Sequence, residues 1–387
     1  MRLSLIEYPL NIEKITGYFI RRKNRFVVTA EVNGEIRDCH LPNPGRLWEL
    51  LIPGQTELVL VKNPEPQQLP FTVLACRKNS NFVLLHTHLT NRVIKTLINE
   101  GRISFYKGFK VKAEEVKLSH SRIDLLLEGN GEKLYLEVKT CTLFGEKIAM
   151  FPDAVTERGK KHLIELKEMA VRGIKTSVLF VVMSPQVEYF LPAYHIDYEF
   201  SKAFMEVKDK VDLKAIALGW DRSFSYVTKV KELKIPYSFI KNALKERGVY
   251  LLLIYLEKPE LIRIGKLGEI DFPSGYYVYV GKAMDGLFSR IARHKRKIKK
   301  LHWHIDYLLN KAKVIKDIPI LSDSDIECVV AESLNKICDN PIPNFGCSDC
   351  QCSSHLFYFS ENPIFRREFV DMVNYYRMDI NTLNEKS

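Results

Sequence analysis

A polar, lysine-rich stretch from Asp221 to Lys234 separates two parts of this chain that both contain many apolar runs. The length of 387 residues exceeds that of one ordinary domain and predicts two or three domains. Apolar residues make up 46% of the chain, which is enough to build packed cores. We therefore expect globular domains on both sides of a linker over residues 221–244.

Residues 1–88 alternate short β-type runs with turn residues. The run RFVVTAEV is followed by Asn33-Gly34, and TELVLV is followed by Asn63-Pro64. Strands this short and this regularly spaced predict a small barrel or sandwich.

Residues 89–220 show a mixed pattern. Two strand-like runs, SRIDLLLE and KLYLEVKTCTLF, flank a Gly-Asn-Gly turn at 129–131 and predict a β-hairpin. A helix is expected over 156–172, and the apolar run TSVLFVVM is typical of a strand buried on both faces. This segment is therefore predicted to be a mixed α/β domain.

Charged residues interrupt both strands of the predicted hairpin. Asp124 lies in the first strand, and Glu137 and Lys139 lie two apart in the second, where they share one face. Two carboxylates and an ammonium converging on one face suit Mg²⁺ or Mn²⁺, with the lysine orienting or polarising an attacking water. The alternative is an exposed strand face with a solvated Glu–Lys pair.

Specific strings in the same region carry a family resemblance. RID at 122–124, EVK at 137–139, FPDAVTERGKKH at 151–162 and CHLPNPGRLWELLIPG at 39–54 closely resemble the sugar fermentation stimulation protein A family. The resemblance implies an OB-like barrel over 1–88, a PD-(D/E)XK nuclease-like α/β domain over 89–220, and DNA binding.

The same resemblance implies roles for individual residues. It implies that Asp124 and Glu137 are metal ligands and that Lys139 is the catalytic lysine, with Glu100 a weaker candidate for a further acid. Asp153 is a candidate for catalysis or substrate contact, a helix cap or a salt-bridge partner.

Four cations in these strings are candidate nucleic-acid contacts. Arg158, Lys160 and Lys161 lie in the first turns of a predicted helix, where the helix dipole disfavours cations unless a phosphate binds nearby. Arg46, in the PNPGR turn, is a candidate phosphate contact. A solvated surface is the alternative for the three helix residues, and a plain turn is the alternative for Arg46.

The net charge of +11 is concentrated in one region, because residues 229–320 contain 20 Lys and Arg against 9 Asp and Glu. Within it, the run RIARHKRKIKK at 290–300, the cationic strip, indicates a surface that binds a polyanion. A solvated helix face is the alternative. The candidate nucleic-acid contacts, besides Arg290, are Arg293, His294, Lys295, Arg296, Lys297, Lys299 and Lys300.

Residues 245–359 carry a second resemblance. GVY at 248–250, YVG at 279–281 and the longer strings GYYVYVGKA and FGCSDCQCSSHLFYF resemble a GIY-YIG-like nuclease domain of α/β fold.

That resemblance implies that Tyr250 and Tyr279 orient or deprotonate water, that Arg290 stabilises charge on the phosphate, and that Glu327 holds a divalent ion. Glu332 is the alternative acid. Tyrosines packed as sheet core are the structural alternative.

Five of the eight cysteines lie within residues 328–352, which indicates metal or local redox chemistry in a reducing compartment. Four side chains offer ligands suited to a structural Zn²⁺. Cys328 or Cys338 could replace one of them, and reduced thiols in a small core or a disulfide are the alternatives. The four candidate ligands are Cys347, Cys350, Cys352 and His355.

These observations predict a cytoplasmic, metal-dependent endonuclease that acts on DNA in preference to RNA, with a second copy of the chain as a further candidate partner. No signal peptide or membrane span is expected, and 360–387 is expected to be a C-terminal helix or tail. A non-catalytic DNA-binding regulator linked to sugar metabolism is the alternative, disfavoured by the lack of a recognisable helix-turn-helix.

Overall fold

The computed structural model describes residues 8–63, 69–118 and 121–380, which fall into two compact units. The first unit comprises the described residues up to Ala193 together with Asp197–Ile240. The second comprises Tyr194–Ile196 and the described residues from Lys241 onward. Among the described residues, no helix has the length and apolar character needed to cross a membrane.

The first unit begins with a small β-barrel. Strand β1 pairs with β2 and β4, β2 pairs with β3, β4 pairs with β5, and a parallel contact between β3 and β5 closes the ring. The expected small barrel is therefore confirmed. Its strands are β1 (Ile15–Asn24), β2 (Val27–Val32), β3 (Glu35–His40), β4 (Glu57–Lys62), β5 (Phe71–Lys78) and the appended β6 (Asn81–Leu84).

A mixed α/β layer follows the barrel. Its six-stranded sheet has the order β15-β14-β12-β9-β8-β7, and β10, β11 and β13 form a smaller sheet. The elements are α1 (Thr87–Asn99), β7 (Phe109–Leu118), β8 (Ser121–Gly129), β9 (Glu132–Cys141), β10 (Leu143–Phe144), β11 (Ile148–Phe151), α2 (Glu157–Val171), β12 (Lys175–Val182), β13 (Tyr189–Pro192), α3 (Tyr198–Val207), β14 (Asp212–Trp220) and β15 (Val227–Glu232). β12, the run expected to be buried on both faces, lies in the interior of the sheet between β9 and β14.

The linker expected over 221–244 is not a linker. Strand β15 pairs antiparallel with β14 at the edge of the six-stranded sheet, and helix α4 (Tyr237–Ala243) follows it. An edge strand needs few buried side chains and tolerates lysines, so its composition resembles that of a linker.

The second unit is built on a five-stranded antiparallel sheet with the order β20-β16-β19-β22-β21 and a separate β17–β18 hairpin. Helix α5 ends at Lys295, and Arg296 after it adopts an extended conformation. The region 360–387 contains the helix α8. The elements are β16 (Gly248–Leu256), β17 (Glu260–Arg263), β18 (Glu269–Phe272), β19 (Gly275–Ala283), α5 (Leu287–Lys295), α6 (His304–Leu308), β20 (Lys313–Leu321), α7 (Glu327–Ile337), β21 (Asn340–Pro341), β22 (Leu356–Phe359) and α8 (Arg367–Asn374).

Helix α2 depends on a side-chain cap at its first turn. The Oγ1 of Thr156 accepts a hydrogen bond from the backbone N–H of Gly159 at 3.0 Å. We expect Thr156→Ala to destabilise the helix by about 1 kcal/mol, which quickens hydrogen exchange of its amides roughly fivefold. Mass spectrometry of exchanged peptides measures this in the full chain. Thr156→Ser retains the hydroxyl and should leave exchange unchanged, and equal protection in the alanine variant would contradict the capping role.

Candidate active sites

The hairpin of β8 and β9 positions the central site. The two strands pair antiparallel from Leu125 opposite Leu136 to the turn, where Asn130 and Gly131 adopt positive φ angles of 53° and 77°. Two consecutive positive φ angles are typical of a type I′ turn, which matches the twist of the strands. Asp124 lies just beyond the last of these pairs, where its Oδ2 accepts a hydrogen bond from the backbone N–H of Val138 at 2.8 Å. The register therefore brings the Asp124 side chain to the segment of β9 that contains Glu137.

Asp124 is a carboxylate in an unfavourable environment for charge. Its Oδ1 accepts a hydrogen bond from Asn91 Nδ2, on helix α1, at 2.9 Å. Burial, followed by repulsion from Glu137, raises the pKa of Asp124 to about 6, and the hydrogen bonds only partly offset this. The group therefore changes charge near neutral pH.

Glu137 is almost completely buried, at 3% exposure. Its Oε1 accepts hydrogen bonds from Lys139 Nζ at 2.6 Å and from His162 Nδ1, on helix α2, at 2.7 Å. Burial alone raises the pKa of Glu137, but the bonds from His162 and Lys139 outweigh it and hold the pKa at about 2. Within the described residues, Glu137 Oε2 is buried and has no hydrogen-bond partner.

These residues fit a hard divalent cation. A buried carboxylate oxygen without a donor costs free energy, and Mg²⁺ or Mn²⁺ prefers carboxylate oxygens as ligands. Glu137 Oε2 supplies one such atom, and the Asp124 carboxylate supplies others whose charge a cation would stabilise. Lys139 remains partly exposed beside them.

Two residues of this site were missed by sequence reasoning, His162 and Asn91. His162 lies inside the string FPDAVTERGKKH and belongs to the buried face of α2, together with Leu163 and Leu166. A histidine among the apolar residues of one helix face was the sequence signal that could have indicated a buried polar contact. Asn91 offered none, since an asparagine on a helix surface is unremarkable in sequence.

The other cationic candidates of the first unit contact partners other than Asp124 and Glu137. Lys160 pairs with Glu199 at 3.1 Å, and Lys161 with Glu165 at 3.7 Å. Arg158 Nε approaches His162 Nε2 at 3.4 Å, so it contacts the residue that holds Glu137.

Asp153 and Glu100 do not join the carboxylate pair. Asp153 Oδ2 accepts a hydrogen bond from the backbone N–H of Leu47 at 3.4 Å, in the barrel segment that contains the exposed Arg46. Glu100 is exposed and pairs with Arg102 at 3.7 Å.

In the second unit, a chain of polar contacts links neighbouring elements. The hydroxyl of Tyr250, on β16, lies 2.8 Å from His294 Nε2, on α5. His294 Nδ1 faces Asp306 Oδ1, on α6, at 3.6 Å, and the ring of Tyr279 lies 6.4 Å from that of Tyr250. Burial raises the pKa of both tyrosines above the ordinary value.

Glu327 is the acid that faces this cluster. It lies 3.3 Å from Lys282 Nζ, and Arg290 donates a hydrogen bond to the backbone carbonyl of the same lysine at 2.7 Å. Glu332, the alternative acid, is 70% exposed and pairs with Lys336 instead. The structure thus places Tyr250, Tyr279, Arg290 and Glu327 in one cluster, and Lys282 is a member that sequence reasoning missed.

The cationic strip is only partly an exposed surface. Arg293 binds both oxygens of the buried Asp306 at 3.0 Å, and Lys299 approaches Asp306 at 3.8 Å. His294 is buried, and Lys295 pairs with Asp317. The expectation that Arg293, His294 and Lys299 are free to contact nucleic acid is wrong. Arg293 and Lys299 turn towards the buried carboxylate of Asp306, and the ring of His294 is itself buried.

Besides the paired Lys295, three cations of the strip are exposed: Arg296, Lys297 and Lys300. They lie in the loop after α5, around Ile298, which is 95% exposed. Within the described residues none of the three has an ion-pair partner at 4.0 Å or less.

The cysteine cluster differs by one residue from the expected set. Potential ligand atoms of Cys328, Cys350, Cys352 and His355 lie within 4.8 Å of one another. Cys347 is not in this set, and its thiol donates to the carbonyl of Phe345 at 3.5 Å. Cys328, on α7, takes its place because α7 packs this residue beside the cysteine loop.

Comparisons with known proteins divide the chain in a similar way. Residues 249–378 match the model of a domain of unknown function, DUF123, residues 20–85 match the SfsA N-terminal OB domain, and residues 88–224 match the sugar fermentation stimulation protein RE domain. The solved structure of SfsA from Pyrococcus furiosus, in complex with Ca²⁺, matches with a TM-score of 0.54 and 24% identity, over 58% of this chain and 96% of that one.

Curated relatives agree with the matches in the first unit. A sugar fermentation stimulation protein homolog of Methanothermobacter thermautotrophicus is 38% identical over 203 residues, which cover 52% of this chain and 82% of the relative. A homolog from Clostridium kluyveri is 33% identical over 222 residues, covering 57% and 96%. The chain therefore belongs to the sugar fermentation stimulation protein family, and it carries a DUF123 domain in addition.

Proposed function

We propose that this chain is a metal-dependent nuclease that hydrolyses phosphodiester bonds in DNA, in preference to RNA. The observation that carries the proposal is the state of Glu137. One of its oxygens is fixed by Lys139 and His162, and the other is buried and has no donor among the described residues, while the Asp124 carboxylate is close enough to be repelled by Glu137. A buried acid pair with an adjacent lysine is the arrangement of PD-(D/E)XK nucleases.

Each residue has a chemical role in this proposal. Asp124 and Glu137 hold Mg²⁺ or Mn²⁺, which supplies Lewis-acid activation of water and phosphate when bound. Lys139 orients the attacking water and stabilises charge on the phosphate. His162 keeps Glu137 ionised and in one orientation. The Ca²⁺ in the Pyrococcus furiosus structure supports a site for a hard divalent cation.

We propose a second, GIY-YIG-like nuclease centre in the second unit, which the contact between Tyr250 and His294 favours. Burial lowers the pKa of His294 to about 4, so its imidazole is neutral at neutral pH and can accept the hydroxyl proton of Tyr250. Arg290 supplies a fixed positive charge beside the two tyrosines, and Glu327 supplies the acid. These are the groups that general-base catalysis and phosphate stabilisation require.

Replacing the central lysine should stop cleavage at the central site. Lys139→Met keeps the length of the side chain but removes the ammonium, so we expect a loss of roughly 100-fold or more. Cleavage of single-stranded, duplex, branched and RNA oligonucleotides with Mg²⁺ or Mn²⁺ measures this, in an Arg290→Ala background. Lys133→Met removes an exposed lysine of the same strand, β9, and serves as the matched control.

The two centres should act independently, because each lies in its own compact unit and effects at sites that share no partners are additive. Glu137→Gln and Arg290→Ala should each remove one activity, and only the double variant should remove both. Loss of all cleavage in Arg290→Ala alone would show that the central site is idle. The first unit would then be a DNA-binding module, as the regulator hypothesis requires.

Metal binding at the central site should depend on pH. Because the pKa of Asp124 is raised to about 6, protons compete with the cation below that pH. The ionised fraction falls from about nine-tenths at pH 7 to about one-tenth at pH 5, so the affinity for Mn²⁺ should fall roughly tenfold. Electron paramagnetic resonance of free Mn²⁺ measures this in a Glu327→Gln background. An Asp124→Asn variant with the same pH dependence would contradict the assignment.

DNA binding should depend on the exposed loop cations. Arg296, Lys297 and Lys300 together replaced by alanine should weaken binding and flatten the log–log salt dependence by about 2–3, since each phosphate contact contributes about 0.9. Binding to duplex oligonucleotides over a range of salt concentrations measures the slope. An unchanged slope would make the loop a solvated surface.

The control for this prediction removes the same charge elsewhere in the second unit. Lys258, Lys311 and Lys336 are exposed, and the latter two pair with acidic side chains. Their triple alanine variant should keep the slope of the unsubstituted protein.

A further inference from the structure

We propose that Cys328, Cys350, Cys352 and His355 form a closed Zn²⁺ site whose histidine is oriented by Glu327. The four potential ligand atoms lie within 4.8 Å of one another. In a tetrahedral site with Zn–S of about 2.3 Å and Zn–N of about 2.0 Å, ligand atoms are separated by roughly 3.3–3.8 Å. Small side-chain rotations therefore bring the four atoms to ligating distance. The inference does not depend on nuclease activity.

The ligands come from two parts of the chain that are distant in sequence. Cys328 lies in the first turn of α7, whereas Cys350, Cys352 and His355 lie in the loop that leads into β22. A metal that joins them would fix an irregular loop to a helix. Three thiolates and one imidazole complete a tetrahedral set and leave no open position, which is typical of structural zinc.

Ordinary thiol packing does not explain this convergence. A free cysteine usually behaves as a small buried hydrophobic residue, as Cys39, Cys76 and Cys141 do in this chain. In contrast, Cys328 is exposed, and Cys350 and Cys352 are half-buried. Partly exposed thiols gathered around one buried histidine are better explained by a shared ligand.

His355 also has the surroundings of a metal ligand. Its Nε2 lies 3.2 Å from Cys350 Sγ, and its Nδ1 faces Glu327 Oε1 at 3.7 Å. Metal-bound histidines commonly direct the other ring nitrogen to a carboxylate, which fixes the tautomer and ring orientation. Glu327 is thus a positioning residue for the zinc site, and the same carboxylate lies 3.3 Å from Lys282 in the second cluster.

Metal content of the purified full chain tests the site. Elemental analysis should find about one zinc per chain, and replacement by Co²⁺ should give thiolate-to-cobalt charge-transfer absorption. Cys328→Ser should lose most of the zinc, whereas Cys347→Ser, which removes a neighbouring thiol outside the ligand set, should keep it. Reconstitution of chelator-treated, unsubstituted protein with Co²⁺ provides the same spectrum without relying on the folding of a variant.

The orienting role of Glu327 has a separate measurement. Glu327→Gln should retain zinc but bind it about 10–100-fold more weakly, measured by competition with a chromophoric chelator. Glu332→Gln, on the exposed face of the same helix, should leave the affinity unchanged. Equal affinity in both variants would overturn the role of Glu327.

Two results would overturn the site itself. One is a full chain, expressed with added zinc, that contains no zinc and gives no charge-transfer band with Co²⁺. The other is a disulfide among Cys328, Cys350 and Cys352 in protein purified under reducing conditions. Equal zinc loss in Cys347→Ser and Cys328→Ser would overturn the ligand assignment.

Discussion

The buried carboxylate of Glu137 is the interaction on which the central site depends. An ionised carboxylate away from water is stable only when it is paired, and removing one partner of a buried ion pair costs about 3–5 kcal/mol. Lys139 from the same strand and His162 from α2 provide this pairing. The Glu137 side chain therefore links strand β9 to helix α2, whose first turn Thr156 caps. The lowered pKa of Glu137 keeps it ionised, whereas the raised pKa of Asp124 lets that residue change charge with pH.

The sequence patterns of strands and turns were enough to predict the residues of this site that lie on the β8–β9 hairpin. Period-two alternation and a Gly-Asn-Gly turn were enough to bring Asp124, Glu137 and Lys139 together, because strand register and turn type are set by nearby residues. His162 and Asn91 come from helices that reach the sheet through tertiary packing. No pattern within their own segments specifies that contact, so sequence reasoning did not find them.

The errors in the prediction have similar physical causes. The stretch 221–234 was interpreted as a linker because an edge strand with exposed lysines has the composition of one. The strip 290–300 was predicted to bind a polyanion, with a solvated helix face as the alternative, but counting charges does not show which side chains turn inward. In the structure, Arg293 and Lys299 turn towards the buried carboxylate of Asp306, which lies sixteen positions after Arg290. Spacing along the loop favoured Cys347 as the fourth cysteine-cluster ligand, with Cys328 or Cys338 as alternatives, and the structure gathers Cys328 with the other three.

Two buried carboxylates of this chain differ in how the protein satisfies their oxygens. Asp306 is fully buried, and its oxygens accept hydrogen bonds from Arg293 and from the backbone N–H groups of His302 and Trp303. Although burial raises its pKa, these donors lower it overall, so Asp306 is satisfied by the protein itself. Glu137 is nearly as buried, but one of its oxygens lacks a donor within the described residues. Burial is thus common to both, and the open acceptor position on Glu137 is the feature on which its proposed role as a cation ligand rests.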